Sequence, residues 1–257
     1  KVAATGDTAP GTGGGTYVSF VLDRTPPSRI NSQGQVAFFA NIAGSAGNAS
    51  RNGVFIGSVS GGVQAVARMG DASPIGGAFA NITSADISLN ESGQVTFHAI
   101  SQSGITQTPA IFTGSVTASP VKVVARGDAG PGGSIVNVIP LNFQMNNAGQ
   151  VVYVAGLVGG SSPEGVFLGT AGGAQASVAL AGNGAPGTGG GVFSDFRNFD
   201  IELNNSGAVA FRADITGGTA SSGVFLGSAS APPAQGRACR SRACRRPPGA
   251  GTRAARG

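Results

Sequence analysis

Ile30-Asn-Ser-Gln-Gly-Gln-Val-Ala-Phe38 returns three times without a gap, as Leu89-Asn-Glu-Ser-Gly-Gln-Val-Thr-Phe97, Met145-Asn-Asn-Ala-Gly-Gln-Val-Val-Tyr153 and Leu203-Asn-Asn-Ser-Gly-Ala-Val-Ala-Phe211. The asparagines stand at 31, 90, 146 and 204, a period of 56 to 59 residues. A fixed period of this size marks a repeat architecture. Asn-x-x-Gly between apolar runs reads as a hairpin connection: the Asn side chain caps the turn and Gly supplies the positive φ. Val36 and Phe38 then alternate with Gln35 and Ala37, the period of a strand.

Two further elements recur in phase. One is Gly53-Val-Phe-Ile-Gly57, with Ala110-Ile-Phe-Thr-Gly114, Gly165-Val-Phe-Leu-Gly169 and Gly223-Val-Phe-Leu-Gly227. These read as short buried strands bounded by glycine. The other is Val2-Ala-Ala-Thr-Gly-Asp7, with Val66-Ala-Arg-Met-Gly-Asp71, the one-residue-shorter Val124-Ala-Arg-Gly-Asp128, and Val178-Ala-Leu-Ala-Gly-Asn183. These read as a strand ending in a turn. In the second copy the strands fall at residues 86–90, 94–99, 110–115 and 121–126, and no helix is called for.

A lone four-stranded sheet cannot bury two apolar faces, whereas a series of such sheets can. The fold expected is all-β: a four-repeat β-propeller of four-stranded blades over residues 1–231. A β-solenoid and a fragment of a larger propeller are the alternatives. Lys1–Gly6 matches the last strand of a repeat, while the final repeat reaches only its third strand at Gly223–Gly227. The N-terminal strand is therefore expected beside Val224–Leu226, closing the ring and removing open sheet edges. Lys1 stands where Met would, and no signal peptide precedes the repeats, so the chain reads as cut from something longer or processed.

Composition agrees. Of 257 residues, 45 are Gly and 14 Pro, Trp is absent, and only 11% are charged, too few Lys and Glu for a helical bundle. No apolar run is long enough for a membrane-spanning helix. The net charge of +5 would suggest a nucleic-acid partner. Seven of the arginines, however, lie in residues 232–257 with no acid beside them, which leaves nine basic and eleven acidic residues in the body. The body thus carries about −2 and has no basic patch for nucleic acid. The tail, which repeats Arg-Ala-Cys-Arg and holds both cysteines, Cys239 and Cys244, reads as low-complexity and disordered. Its Cys spacing lacks the further ligands of a zinc site.

The four-fold pattern, Gly-Asp-x-Ala-Pro-Gly followed by Asn-x-x-Gly-x-Val-Ala-Phe and Gly-Val-Phe, resembles uncharacterised tandem β-repeats of secreted or envelope-attached bacterial proteins. The resemblance covers residues 1–231 and implies an extracytoplasmic all-β repeat protein. It carries no activity of its own.

Candidate sites follow from residue types. Ala9–Gly15 and Ala185–Gly191 share Ala-Pro-Gly-Thr-Gly-Gly-Gly. Gly-rich loops can cradle phosphate, but a P-loop needs Gly-Lys-Ser/Thr and a helix, so these read as crossing loops. Arg126-Gly127-Asp128 reads as the repeat's own Gly-Asp turn rather than an adhesion tripeptide. His98 is the only histidine and stands where the other copies have Phe39, Val154 and Arg212. Asp86 and Asp200 each lie four residues before the turn Asn, with Asn142 in the same phase and Asp23 nearby. Equal phase means equal orientation on a strand, so these four would ring one mouth of a propeller channel. Such oxygen ligands suit Ca²⁺ or Mg²⁺, and the alternative role is the capping of turns through backbone N–H groups. Asp7, Asp71, Asp128 and Asn183 form a second set at the outer strand ends, where turn-capping is the simpler role.

Two functions are consistent with this inventory. The first is a non-catalytic module that binds a small molecule, a glycan or a surface through the propeller mouth. The second is a metal-assisted hydrolase of phosphate or carboxylic esters, with His98, Asp86 and Asp200 as its catalytic groups and Asp23, Asp86, Asn142 and Asp200 as metal ligands. Equivalent positions in every repeat favour the first; one odd group favours the second.

Overall fold

In the computed structural model, residues 1–21, 30–196 and 201–235 are described. The chain is all-β, with four antiparallel sheets in series. Among the described residues the one helical piece is a 3-10 turn at Ala46–Asn48. The first sheet holds β1 (Thr16–Val21), β2 (Val36–Ala43), β3 (Asn52–Ser58) and β4 (Gly62–Arg68). The second holds β5 (Ala78–Leu89), β6 (Val95–Ser103), β7 (Thr106–Gly114) and β8 (Val121–Ala125). The third takes β9 (Ala129–Gly130), β10 (Gly133–Met145), β11 (Gln150–Val158), β12 (Glu164–Thr170) and β13 (Ala176–Leu180). The fourth takes β14 (Val192–Asp195), β15 (Ile201–Leu203), β16 (Val209–Thr216), β17 (Ser222–Ser228) and β18 (Ala231–Gln235).

Each sheet is an antiparallel meander, and in the second and third sheets the strand that leads into the Asn turn is longer than the sequence suggests. In β5 the pairing with β6 runs from Ala78 to Ile82, breaks, and resumes at Ile87; in β10 it breaks between Val138 and Phe143. The extra residues carry no alternation, which is why only the second half of the strand is legible in the sequence. The third copy of the Gly-Asp element is not short. Val66 lies beside Gly114 as Val123, not Val124, lies beside Gly169, so Val123–Asp128 aligns without a gap.

Burial explains the order of the sheets. Each sheet after the first turns an aromatic cluster toward the sheet before it. Phe79, Phe97 and Phe112 pack on Phe39, Val54 and Ile56; Tyr153 and Phe167, with Ile135, pack on Ile111 and Val123; Phe193, Phe211 and Phe225 pack on Val152, Val154 and Val166. The first sheet's own cluster, Tyr17, Phe38 and Phe55, is buried with Val2 and Ala3 packed against it.

Ring closure by the N-terminal strand is not formed. Both edges of β17 are occupied, one by β16 and the other by β18, and Val2 lies beside Gly57 of the first sheet instead of beside Val224. The fourth strand of the last sheet is supplied by Ala231–Gln235, so the ordered repeat runs a few residues into the segment that reads as tail. The physical reason is local: a strand close in sequence closes a short turn at less entropic cost than the opposite end of the chain.

Candidate functional site

The four Gly-Asp or Gly-Asn joints are built alike. Gly6, Gly70, Gly127 and Gly182 all have positive φ, and their N–H groups donate to the carbonyls of Tyr17, Phe79, Ile135 and Phe193, each at 2.8 Å. The following Asp or Asn carbonyl accepts the N–H of that same residue. The joint thereby passes the chain from the last strand of one sheet to the first strand of the next. Asp7, Asp71 and Asp128 accept the N–H of Ala4, Arg68 and Ala125 at 2.8, 2.9 and 2.9 Å, which is turn-capping. Their second oxygens pair with Lys1, Arg68 and Lys122 at 2.9, 2.9 and 2.7 Å. The Lys1 hydrogen bond holds the Asp7 carboxyl below the usual carboxylate range. Asp128, its carboxylate engaged by Ala125 and Lys122, is thus a structural part of its Arg-Gly-Asp run.

Among the described residues, three equivalent clefts open at these joints. Between the first and second sheets, a cleft of about 420 Å³ is lined by Ala65–Ala67 on β4, by Asp71, Ala72 and Phe79, and by the β7–β8 turn at 115–120. Between the second and third, one of about 490 Å³ is lined by Lys122, Val123, Asp128, residues 129–131 and the β12–β13 turn at 172–175. Between the third and fourth, one of about 380 Å³ is lined by residues 177–180, Asn183, Gly184, Phe193 and the turn at 228–230. Each therefore has the same three walls: a last strand, a joint, and the outer hairpin of the following sheet. Their chemistry is graded, with an Arg68–Asp71 pair at the first, a Lys122–Asp128 pair at the second and the neutral Asn183 at the third. In the second cleft Gln175 donates to the Val123 carbonyl at 3.5 Å, and its buried Oε1 has no hydrogen-bond partner among the described residues.

At the other end of the sheets the Asn-x-x-Gly turns form a ladder. Within each turn the Asn Oδ1 accepts two backbone N–H groups; for Asn146 these are Ala148 and Gln150, both at 3.0 Å. Between turns the next residue makes a rung: the Ser32 N–H donates to Glu91 at 2.8 Å, Glu91 N–H to Asn147 at 3.1 Å, and Asn147 N–H to Asn205 at 3.0 Å. The Ser32 hydroxyl, which also donates to Glu91, and then the Ser32 N–H hold the Glu91 carboxyl below the usual carboxylate range. Asn31 and Asn146 add bonds to the carbonyls of Asn90 and Asn204 at 3.3 and 2.9 Å. Sequence reasoning missed the rungs, whose only signal is a polar acceptor at 91, 147 and 205.

The inner set is brought together only in part. Asp23 and Asp200 lie outside the described residues. Asp86 and Asn142 fall in β5 and β10, within the interruptions of pairing, and the orientations of their side chains also lie outside the description. Among the described residues no cluster of three or more His, Cys, Asp or Glu is placed to hold a metal. His98 is 4% exposed, on the face of β6 that looks toward the third sheet, opposite Ile111. Its Nδ1 lies 3.2 Å from the Thr83 hydroxyl, and its Nε2 is buried with no partner among the described residues. Burial pushes the imidazole down to about 4, so it is neutral at pH 7. The Gly-rich loops close on themselves: Thr12 and Thr188 donate to the carbonyls of Ala9 and Ala185 at 2.7 and 2.6 Å, and both threonines are buried.

Fold and site together define a four-sheet β-repeat protein with one cleft at each junction. Over residues 1–231 the chain matches the DUF7453 family, described as a family of unknown function, and it belongs to that family. No curated protein and no solved structure shows a significant match to it.

Proposed function

We propose that the protein is a secreted or envelope-attached, non-catalytic binding module. Its four blade-like sheets present the three junction clefts to a polyhydroxylated ligand such as a glycan. The observation that carries this reading is the equivalence of the clefts, at 380 to 490 Å³ with the same three walls. Repetition suits a ligand that is itself repetitive, because several weak sites on one scaffold gain avidity without new contacts. The lining suits hydroxyl groups: small side chains and backbone beside a few fixed polar groups, among them the paired Lys122 and Asp128.

The test is a glycan array followed by calorimetry on the full chain. Ala72, Ala129 and Gly184 are exposed and line the first, second and third clefts. Replacing each with Phe should plug one cleft at a time and lower the binding stoichiometry stepwise. Binding that ignores all three plugs would place the ligand elsewhere, and silence across the array would refute the glycan reading.

A further inference from the structure

The last joint departs from the other three at two adjacent positions. Where they read Asp7-Thr8, Asp71-Ala72 and Asp128-Ala129, it reads Asn183-Gly184. The fold does not call for the glycine. Gly184 lacks a positive φ, and a Cβ built on it would meet no atom within 4 Å. Together the two changes make an Asn-Gly pair. In such a pair the backbone nitrogen reaches the side-chain amide most readily, because glycine carries no Cβ to crowd the approach.

Both reacting groups are accessible. Asn183 and Gly184 are exposed on the wall of the third cleft. Among the described residues the Asn183 side chain makes no hydrogen bond, whereas Asp7, Asp71 and Asp128 each accept the N–H three residues back. The Gly184 N–H makes none either. The pairing here passes it over: Phe193 N–H donates to the Asn183 carbonyl and Ala185 N–H to the Gly191 carbonyl, at 3.0 and 2.8 Å. The chain's other Asn-Gly pair, Asn52-Gly53, is the opposite case. It opens β3, with Gly53 buried; Asn52 donates to Asn81 at 2.8 Å and accepts the Ile82 N–H at 3.2 Å.

We propose that Asn183-Gly184 is a self-modification site, at which the folded protein turns its one neutral joint acidic. The Gly184 nitrogen bonds to the Asn183 Cγ and gives up its proton, the Cγ–Nδ2 bond breaks, and ammonia leaves with that proton. Water then opens the five-membered imide at one of its two C–N bonds. Opening at Cγ gives aspartate, and opening at the backbone carbon gives isoaspartate; no oxidant or reductant takes part. Either product puts a carboxylate on the cleft wall. In the other joints the paired cations, Lys1, Arg68 and Lys122, lie six or three residues before the Asp. The same offsets here fall on Ser177 and Leu180, and no Lys or Arg lines the third cleft. The converted cleft is therefore anionic, where the first two hold neutralised pairs. This inference stands independently of ligand binding in the clefts.

Peptide mapping by mass spectrometry, on the folded full chain aged in warm, mildly alkaline buffer, reads the outcome. Alkali helps because the attacking nitrogen must lose its proton. The amide of Asn183 should be exchanged for an acid while that of Asn52 persists, and the aged protein should gain an acidic species that elutes from an ion exchanger near the Asn183→Asp variant. Gly184→Ala, whose methyl crowds the attacking nitrogen, should slow the conversion at least about tenfold. Asn183→Gln, whose longer side chain disfavours the ring, should slow it similarly. Circular dichroism checks that each variant folds, and two variants guard against one failing to do so. An Asn183 amide that lasts as long as that of Asn52 in the native protein, or a conversion that neither folded variant slows, would overturn the proposal.

Discussion

Lowering the pH from 7 to 4 should destabilise the second and third sheets through His98. An ordinary imidazole titrates near 6.5, whereas burial holds this one down to about 4. The folded-state value is depressed, so folding favours the neutral ring. Its contribution is intact above about pH 6.5 and is lost as the pH falls toward 4, where the unfolded chain binds a proton that the folded chain refuses. The gap corresponds to roughly 3 kcal/mol, a large share of the stability of a domain. Burial is nearly complete at 4% exposure, so solvent does little to relieve the cost of a charge there. The assay is urea denaturation across this pH range for the wild type and for His98→Val, the residue that the third repeat carries at Val154. Carboxylates titrate in both proteins and cancel in the difference. The wild type should lose stability relative to the variant as pH falls, and an NMR titration of the ring should show it neutral down to about pH 4. Parallel pH profiles for the two proteins, or a ring that titrates near 6.5 in the folded state, would refute the reasoning.

The ladder and the loops supply two further tests. Asn146→Ala removes two bonds to Ala148 and Gln150 and two donated to Gln150 and Asn204, and should cost about 2–4 kcal/mol in chemical denaturation; Asn146→Asp, which keeps the acceptor, should cost less. Gly77→Ala puts a methyl against the Gln102 backbone carbonyl at a residue with φ of +69°, and thermal melting should show a loss of at least about 2 kcal/mol.

Local patterns that repeat were legible in the sequence. The Asn-x-x-Gly turns, the Gly-Val-Phe strands and the capping role of Asp7, Asp71 and Asp128 all rest on residues within six positions of one another. What depends on contacts across a period was not. The rungs at Glu91, Asn147 and Asn205 look like ordinary turn residues until the turns are stacked. The clefts are made by an outer hairpin from one repeat and a joint from the previous one, so no single repeat contains them. The first strands read as half their length because the pairing breaks inside them. The fate of the last sheet's edge could not be foreseen from the match of Lys1–Gly6 to a fourth strand, since β18 contains Pro232 and Pro233, poor strand formers on propensity alone. An edge position tolerates them, because a proline there forfeits no interior ladder bond.

The turn ladder has a direction. Each rung is given by a backbone amide and received by a side chain one repeat later, so the donor half needs no particular residue and the acceptor half needs only one. A duplicated repeat could be spliced into such an array and inherit both halves at once, joined to its neighbours by bonds that its parent already made. Length is then a quantity that this architecture can change by copying about 58 residues of gene, with a single polar position per copy deciding whether the new turn locks in register.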